Sequence, residues 1–481
     1  MKHKVGLSRV ILIQFLFSFI LVYPLYDLNA QIKPAVWEIG LSSLGGTGDQ
    51  APFWFVSNRQ GKYLPEKFAS AIEAGFFAEP DTGKVFDYGY GIELFGRTGG
   101  VDYLWLHQAF GEIRLYDLVQ LRFGMWEDIV GSYEPSISSG SIIWSGNARP
   151  LPRIEISVPE YNPVPYTNGF AEIKGLLSHG WFEEGRYASD VWLHHKNVYL
   201  RLGGDYPLNF HYGFNHYAQW GGSSPRQEES YPSDFRAYLR VFFNLSGDPD
   251  EEGTPEGWVI NKKGNSVGSR NVGFDLNMGT FSAGIYLQDV FEDGSGMRRV
   301  NFPDGLWGAR FRFNEEKKPV QAVVYEFLHT TDQSGPEHSL DAGLVGNDNY
   351  FNHGHYRSGW TYHSYTIGTP LITSPFLVDD DVYGIINNRV IAHHFGIEGY
   401  IEVWKGLAWR QLFTYSRNYG THSRPFDQRR DQFSWLMELV TPLDLLNLDI
   451  SVSLAADVGD MYGDNYGLMI KLSKDGVLGG E

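Results

Sequence analysis

The chain has 481 residues, 39 Lys and Arg against 57 Asp and Glu, a formal net charge of −18 and no cysteine. So acidic a surface repels nucleic acid and anionic lipid, and the missing thiols exclude disulfides, thiol catalysis and cysteine-held metal. Aromatic residues make up 16 %, glycines number 56, and beyond residue 30 no stretch reaches the ~18 apolar residues that a membrane-spanning helix needs.

The N-terminus opens with Lys2, Lys4 and Arg9, followed by an apolar run from Val10 to Val22 and a polar stretch ending at Leu28-Asn29-Ala30. This layout predicts a secretory signal over residues 1–30, cleaved near Ala30, although Leu28 is bulkier than the preferred small residue. Its removal takes Lys2, Lys4, Arg9 and Asp27 with it and leaves a net charge of −20. Residues 31–67 read as a short periplasmic or plug segment ahead of the first strand.

From about residue 68 to residue 473 the sequence alternates. In 85–95, Phe86, Tyr88, Tyr90, Ile92 and Leu94 oppose Asp87, Gly89, Gly91 and Glu93. After similar stretches at 118–126 and 170–177, Leu208, Phe210, Tyr212 and Phe214 oppose Asn209, His211, Gly213 and Asn215 in 206–216. The rhythm returns at 271–279, 319–329, 446–457 and 464–472, where Tyr466, Leu468, Ile470 and Leu472 precede a polar tail from Lys474 to Glu481. A period of two sustained over ~10 residues puts one face in lipid and the other in water. The bilayer offers the backbone no partners, so such a sheet must close on itself.

The prediction is therefore an all-β protein, a transmembrane antiparallel β-barrel of about 18 strands, forming a single domain over residues 31–481. Asn209, His211, Asn215 and Gln219 face its lumen, while Tyr212, Tyr217 and Trp220 read as an interfacial aromatic belt. Eighteen strands of ~10 residues use well under half of the mature chain, leaving a surplus for a plug of loops and short helix. That surplus lies in 127–152, 221–268 and 331–384; the second holds a short helix capped by Ser233, with Phe235, Tyr238, Leu239 and Phe242 at helical spacing.

Catalytic signatures are missing: there is no Gly-x-Ser-x-Gly elbow, no His-Glu-x-x-His helix and no phosphate loop. His194-His195 and His393-His394 are adjacent pairs and point to opposite strand faces, so neither chelates one ion. Asp248, Asp250 and Glu252 imitate the start of a calcium loop, but the twelfth position holds Val259. No enzyme, cofactor or metal is expected. What remains is a recognition surface made of Asn349, Tyr350, Arg357, Trp360, Tyr362 and His363, with Arg149 and Arg153. Sugars present C–H faces that stack on aromatic rings and hydroxyls that bond amides and guanidinium forks.

Several stretches carry a resemblance. They include Ala51-Pro52-Phe53-Trp54, Asn147-Ala148-Arg149-Pro150-Leu151-Pro152-Arg153, Leu193-His194-His195-Lys196, Gln219-Trp220-Gly221-Gly222, Arg357-Ser358-Gly359-Trp360-Thr361-Tyr362 and Ile367-Gly368-Thr369-Pro370. Over roughly residues 50 to 470 the chain resembles the capsule assembly Wzi family of outer-membrane proteins. The resemblance implies an 18-stranded barrel occluded by loops and helices, acting as a lectin that holds capsular or extracellular polysaccharide at the cell surface. A separate export machine would deliver the polymer, which makes that machinery and outer-membrane lipid further partners. The resemblance supplies no binding residues position by position. A diffusion channel for sugars or small solutes is the alternative, because polar lumen faces serve either role.

Overall fold

The alternating segments are the walls of a closed cylinder. The computed structural model describes residues 33–479 apart from 100–102, 132–133, 225–228, 246–263, 293, 336–337, 340–343, 347, 378–382, 404–405 and 444–447. The predicted signal segment and the calcium-loop-like acids lie outside the described residues. Eighteen strands form one antiparallel sheet. They are β1 (Ala35–Gln50), β2 (Glu66–Ala78), β3 (Phe86–Thr98), β4 (Tyr103–Leu115), β5 (Val119–Met125) and β6 (Arg153–Pro163). Next come β7 (Ala171–Trp181), β8 (Trp192–Leu202), β9 (Leu208–Trp220), β10 (Asn265–Asn277), β11 (Phe281–Phe291) and β12 (Gly305–Phe313). The last six are β13 (Ala322–His329), β14 (Val390–Ile401), β15 (Leu407–Gly420), β16 (Pro425–Leu443), β17 (Leu448–Gly459) and β18 (Asn465–Leu478). Each strand pairs with its sequence neighbours, and β1 pairs with β18 from Ala35↔Leu478 to Gly46↔Gly467, so no edge is left open to lipid.

Two boundaries differ from those the sequence predicts. Residues 35–50 are the closing strand rather than a periplasmic or plug segment, and the expected polar tail continues β18 as far as Leu478. The alternation in β1 is hidden because Leu44 points inward and is buried in an apolar core, while Ser43 faces out. Only the chain beyond β1 enters the lumen, through the short helix α1 (Phe53–Val56), all of it buried.

Both ends of the barrel sheet and connections such as 116–118 and 203–207 lie at one end. The long connections at 51–65, 126–152, 182–191, 221–264 and 330–389 all lie at the other. In outer-membrane barrels the short turns are periplasmic and the long loops extracellular, which orients the chain. The lipid-facing wall is apolar where it should be, with Ile72, Ile92, Phe123, Ile156, Val198, Phe274, Ile285 and Leu468 exposed.

The extracellular half of the lumen is filled by loops with a hydrophobic core of their own. Trp54 and Phe55 of α1, Ile137, Ile142 and Trp144 of the 126–152 loop, and Tyr350, Phe351, Trp360 and Ile367 of the 330–389 loop form one cluster with inward wall residues. Polar clamps fasten it. Glu326 of β13 accepts Ser139 N and Oγ at 2.6 Å each and Ser138 Oγ at 2.8 Å. Close approach also requires a wall glycine: a Cβ on Gly396 of β14 would meet Ile137 O at 1.9 Å. A second helix, α2 (Phe235–Phe242), lies against the outer wall, packing Ala237 and Val241 on Ala218 and Trp220. Its cap is Asp234, whose side chain accepts Ala237 N at 2.7 Å, and not Ser233; the helix starts one residue later than the spacing implied.

Candidate functional site

The plug leaves a polar hollow of about 620 Å³ at the extracellular end. Arg97 reaches it from the end of β3 and Tyr103 from the start of β4. Arg149 comes from the 126–152 loop, Glu183 and Arg186 from the 182–191 loop, and His363, Tyr365 and Tyr383 from the 330–389 loop. The chain comes to this point from five places because alternate hairpin ends meet around a rim.

The 330–389 loop presents His363 on a tight hairpin, where Thr361 pairs with Thr366 and Tyr362 with Tyr365. His363 and Ser364 both have positive φ, 48° and 65°. This two-residue turn favours Asn-Gly, and holding other residues in that region costs about 1–3 kcal/mol each, a strain that recurs at ligand sites. The turn is fixed from outside: His363 N donates to Glu183 Oε1 at 2.9 Å, and Arg186 Nη1 donates to both Glu183 oxygens at 3.0 and 3.1 Å. Arg186 also donates to Thr361 O at 2.6 Å and Gly359 O at 2.9 Å. The His363 ring opens onto the hollow, yet desolvation by the surrounding protein, reinforced by Arg149 and Arg186 against the pull of Glu183, lowers its pKa to about 4. Near neutral pH it is an uncharged hydrogen-bonding group.

Across the hollow, Arg149 lies over the Trp105 ring at 4.0 Å and over Tyr103 at 5.4 Å, and Arg97 lies over the same Trp105 ring at 5.4 Å. Tyr365 stands between the walls, donating its hydroxyl to Tyr63 O at 2.5 Å; burial, against the pull of Arg97 and Arg149, raises its pKa to about 12. The hollow thus offers aromatic faces, guanidinium forks and a carboxylate, a set suited to a sugar.

Beneath it, Lys62 ties the 51–65 loop to the wall, with Nζ 2.8 Å from Glu93, 3.1 Å from Glu127 and 3.6 Å from Glu73. Burial opposes the Lys62 charge, but the three carboxylates outweigh it and hold the ammonium well above its ordinary value. Burial likewise opposes charge on Glu127, and the His107 hydrogen bond with the Lys62 charge brings its pKa down to about 2. Donor atoms of Glu93, His107 and Glu127 lie within 4.8 Å of one another, close enough for a metal ion, but the Lys62 ammonium sits on the same carboxylates.

Known proteins share this fold. The family model for the capsule assembly protein Wzi matches residues 56–372. The chain belongs to that family. The matched span holds every wall of the hollow up to Tyr365 and most of the plug. Among solved structures it is similar to Wzi, an outer-membrane protein involved in group 1 capsule assembly in Escherichia coli and a carbohydrate-binding β-barrel. The identity is 13 %, the TM-score 0.55, and the match covers 90 % of this chain and 83 % of that one. OccAB2 of Acinetobacter baumannii matches at 10 % identity and TM-score 0.48, covering 92 % of this chain and 98 % of that one. OpdQ of Pseudomonas aeruginosa gives 10 % and 0.47, with 92 % and 99 % covered. No curated protein matches.

In this Wzi-family barrel the residues singled out in the sequence separate into three places. Arg149 and His363 line the hollow. Arg357 is exposed at the rim, 5.0 Å over the Tyr187 ring. The others are structural: Tyr350 and Trp360 are 1 % and 0 % exposed, and Tyr362 packs against Phe182 behind the hollow. Asn349 accepts Asn388 Nδ2 at 2.6 Å, and Arg153 is buried between Trp126, at 3.8 Å, and Asp128, at 2.5 Å. These aromatics looked like a recognition surface because an apolar core inside a barrel lumen is not expected from alternation. Asn209, His211, Asn215 and Gln219 lie on the lumen face, where Gln219 Nε2 donates to Gly359 O of the plug at 3.0 Å. Tyr217 is not a belt residue: it lies an odd number of positions from Tyr212, so it faces in, stacked on His195 at 3.9 Å and Trp144 at 5.5 Å. Trp220 is covered by α2. Sequence reasoning missed Arg97, Tyr103, Glu183, Arg186 and Tyr383; Arg97 and Tyr103 are single residues at strand ends, and the other three lie in long loops that carry no period to place them.

Proposed function

We propose that this chain binds polysaccharide at the rim hollow and holds capsular or extracellular polymer at the cell surface, without catalysing a reaction on it. The observation that carries this reading is the hollow of about 620 Å³, with arginine, tyrosine and glutamate walls, at the extracellular mouth of a lumen closed beneath it by an apolar plug. Family membership and the shared fold with a carbohydrate-binding relative support it. A hollow this small seats only a few sugar units, so affinity per repeat is weak, and retention comes from many barrels engaging one long chain. Delivery of the polymer falls to separate export machinery.

The test is deletion of the gene in its own host, weighing cell-attached against released polysaccharide. An unchanged total with a fallen attached fraction is the expected result. Unchanged attachment overturns the reading, and a large conductance of the purified barrel in planar bilayers would then favour a solute channel.

A further inference from the structure

Most lumen and plug arginines are neutralised. Arg153, Arg186, Arg201, Arg310, Arg312 and Arg410 each have a carboxylate within 4.0 Å. Arg97 and Arg149, which form one wall of the hollow, have none among the described residues. Their guanidinium groups share the Trp105 ring, at 5.4 and 4.0 Å, so two like charges are brought to one aromatic surface. Arg97 is 8 % exposed; it donates to Lys62 O at 3.3 Å, and its Nε has no partner. Arg149 makes a long bond, 3.4 Å, to Gly61 O. Burial, and then the Arg97 charge, hold its guanidinium below its ordinary value even though Tyr365 and Tyr103 favour the charge. Lys62 nearby is already taken up by Glu93, Glu127 and Glu73. On the facing wall Glu183 is matched by Arg186, and Glu184 lines the hollow beside it.

A pair of desolvated guanidinium groups with no anion is an unfavourable arrangement that a bound anion relieves. We infer that the sugar unit seated in this hollow carries an anionic substituent, a carboxylate or an ester sulfate or phosphate, held between Arg97 and Arg149. This rests on the reading that the hollow binds glycan. The anion takes the guanidinium forks, which hold two oxygens of a carboxylate, sulfate or phosphate at once, and the sugar's hydroxyls are left to donate to Glu183 across the hollow. The acidic molecule as a whole repels a polyanion, so attraction must be local.

The test uses the purified full-length barrel in detergent and the host's own polysaccharide in three forms: untreated, carboxyl-reduced, and stripped of sulfate and phosphate esters. Binding is expected to fall at least tenfold for one of the two treated forms, and to weaken with rising salt for the untreated form. Arg149→Gln and Arg97→Gln are each expected to lose a similar factor with untreated polymer and to show little further loss with the neutralised one. Arg149→Lys, which keeps the charge, recovers part of the loss, and an unchanged heat-dependent gel shift for each variant excludes misfolding. Equal binding of all three polymer forms, or wild-type binding by both glutamine variants, overturns the inference while leaving the glycan-binding reading intact. Failure of the wild-type barrel to bind any form overturns that reading as well.

Discussion

Trp360 is the residue whose chemistry misleads most in the sequence. It has no exposed surface, its ring lies 5.5 Å from Tyr217 and 6.2 Å from Phe182, and its Nε1 donates to Ile143 O at 2.8 Å. Trp360→Ala opens a cavity inside the plug and orphans that carbonyl, at about 3–5 kcal/mol. The strands do not depend on it, so the variant should keep its heat-dependent gel shift while its plug becomes protease-sensitive and leaks current in bilayers. Arg357→Ala, at the exposed rim, is expected to stay within about 0.5 kcal/mol of wild type, read as an unchanged transition in the same gel assay. The sequence could not separate these two because residue type reports what a side chain is able to contact, and burial here is decided by loops more than a hundred positions apart, as Ile143 and Trp360 are.

At the level of elements, strands such as β3 and β9 were legible because one face meets lipid, and the period of two follows directly from that. β1 was not, because the plug reverses the usual polarity of the lumen at Leu44. The loops carry no period at all, and part of their anchoring is electrostatic. The 51–65 loop depends on Lys62 and on Arg59, which meets Glu438 at 3.1 Å. Glu127 is held below its ordinary value of 4.5, so its contribution to the closed plug is complete above that pH and is lost as pH falls toward about 2. Lys62 is held above its ordinary value of 10.5, so its contribution is complete below that pH and does not weaken between pH 7 and pH 3. Conductance of the purified barrel should therefore stay low from pH 7 down to about 5 and rise below about 4.5. Lys62→Gln removes the charge that holds Glu127 down, so the rise should begin at a higher pH; a profile identical to wild type would show that the latch does not hold the loop.

For the whole molecule, closure is a property that no single element holds. Eighteen strands in lipid are stable only if the first meets the last, because an unpaired backbone group in the bilayer has no water to turn to. The seam between β1 and β18 is completed at the periplasmic end by five pairs, Ile39↔Lys474, Glu38↔Asp475, Trp37↔Gly476, Val36↔Val477 and Ala35↔Leu478. Removing residues 474–481 deletes the partners of Ala35 to Ile39 and leaves that stretch of β1 as an edge. The extracellular half of the seam and the plug are untouched by the cut, since Gly46 still pairs with Gly467 and Gly48 N still bonds Asn465 Oδ1 at 2.8 Å. The truncated chain should therefore still bind polymer once folded, but unfold at a lower temperature and insert less efficiently. Gel-shift midpoint and yield in outer-membrane fractions measure this, with glycan binding as the internal control. Loss of binding at full yield would mean instead that the periplasmic seam sets the geometry of the rim, which the separation between the two halves of the barrel argues against.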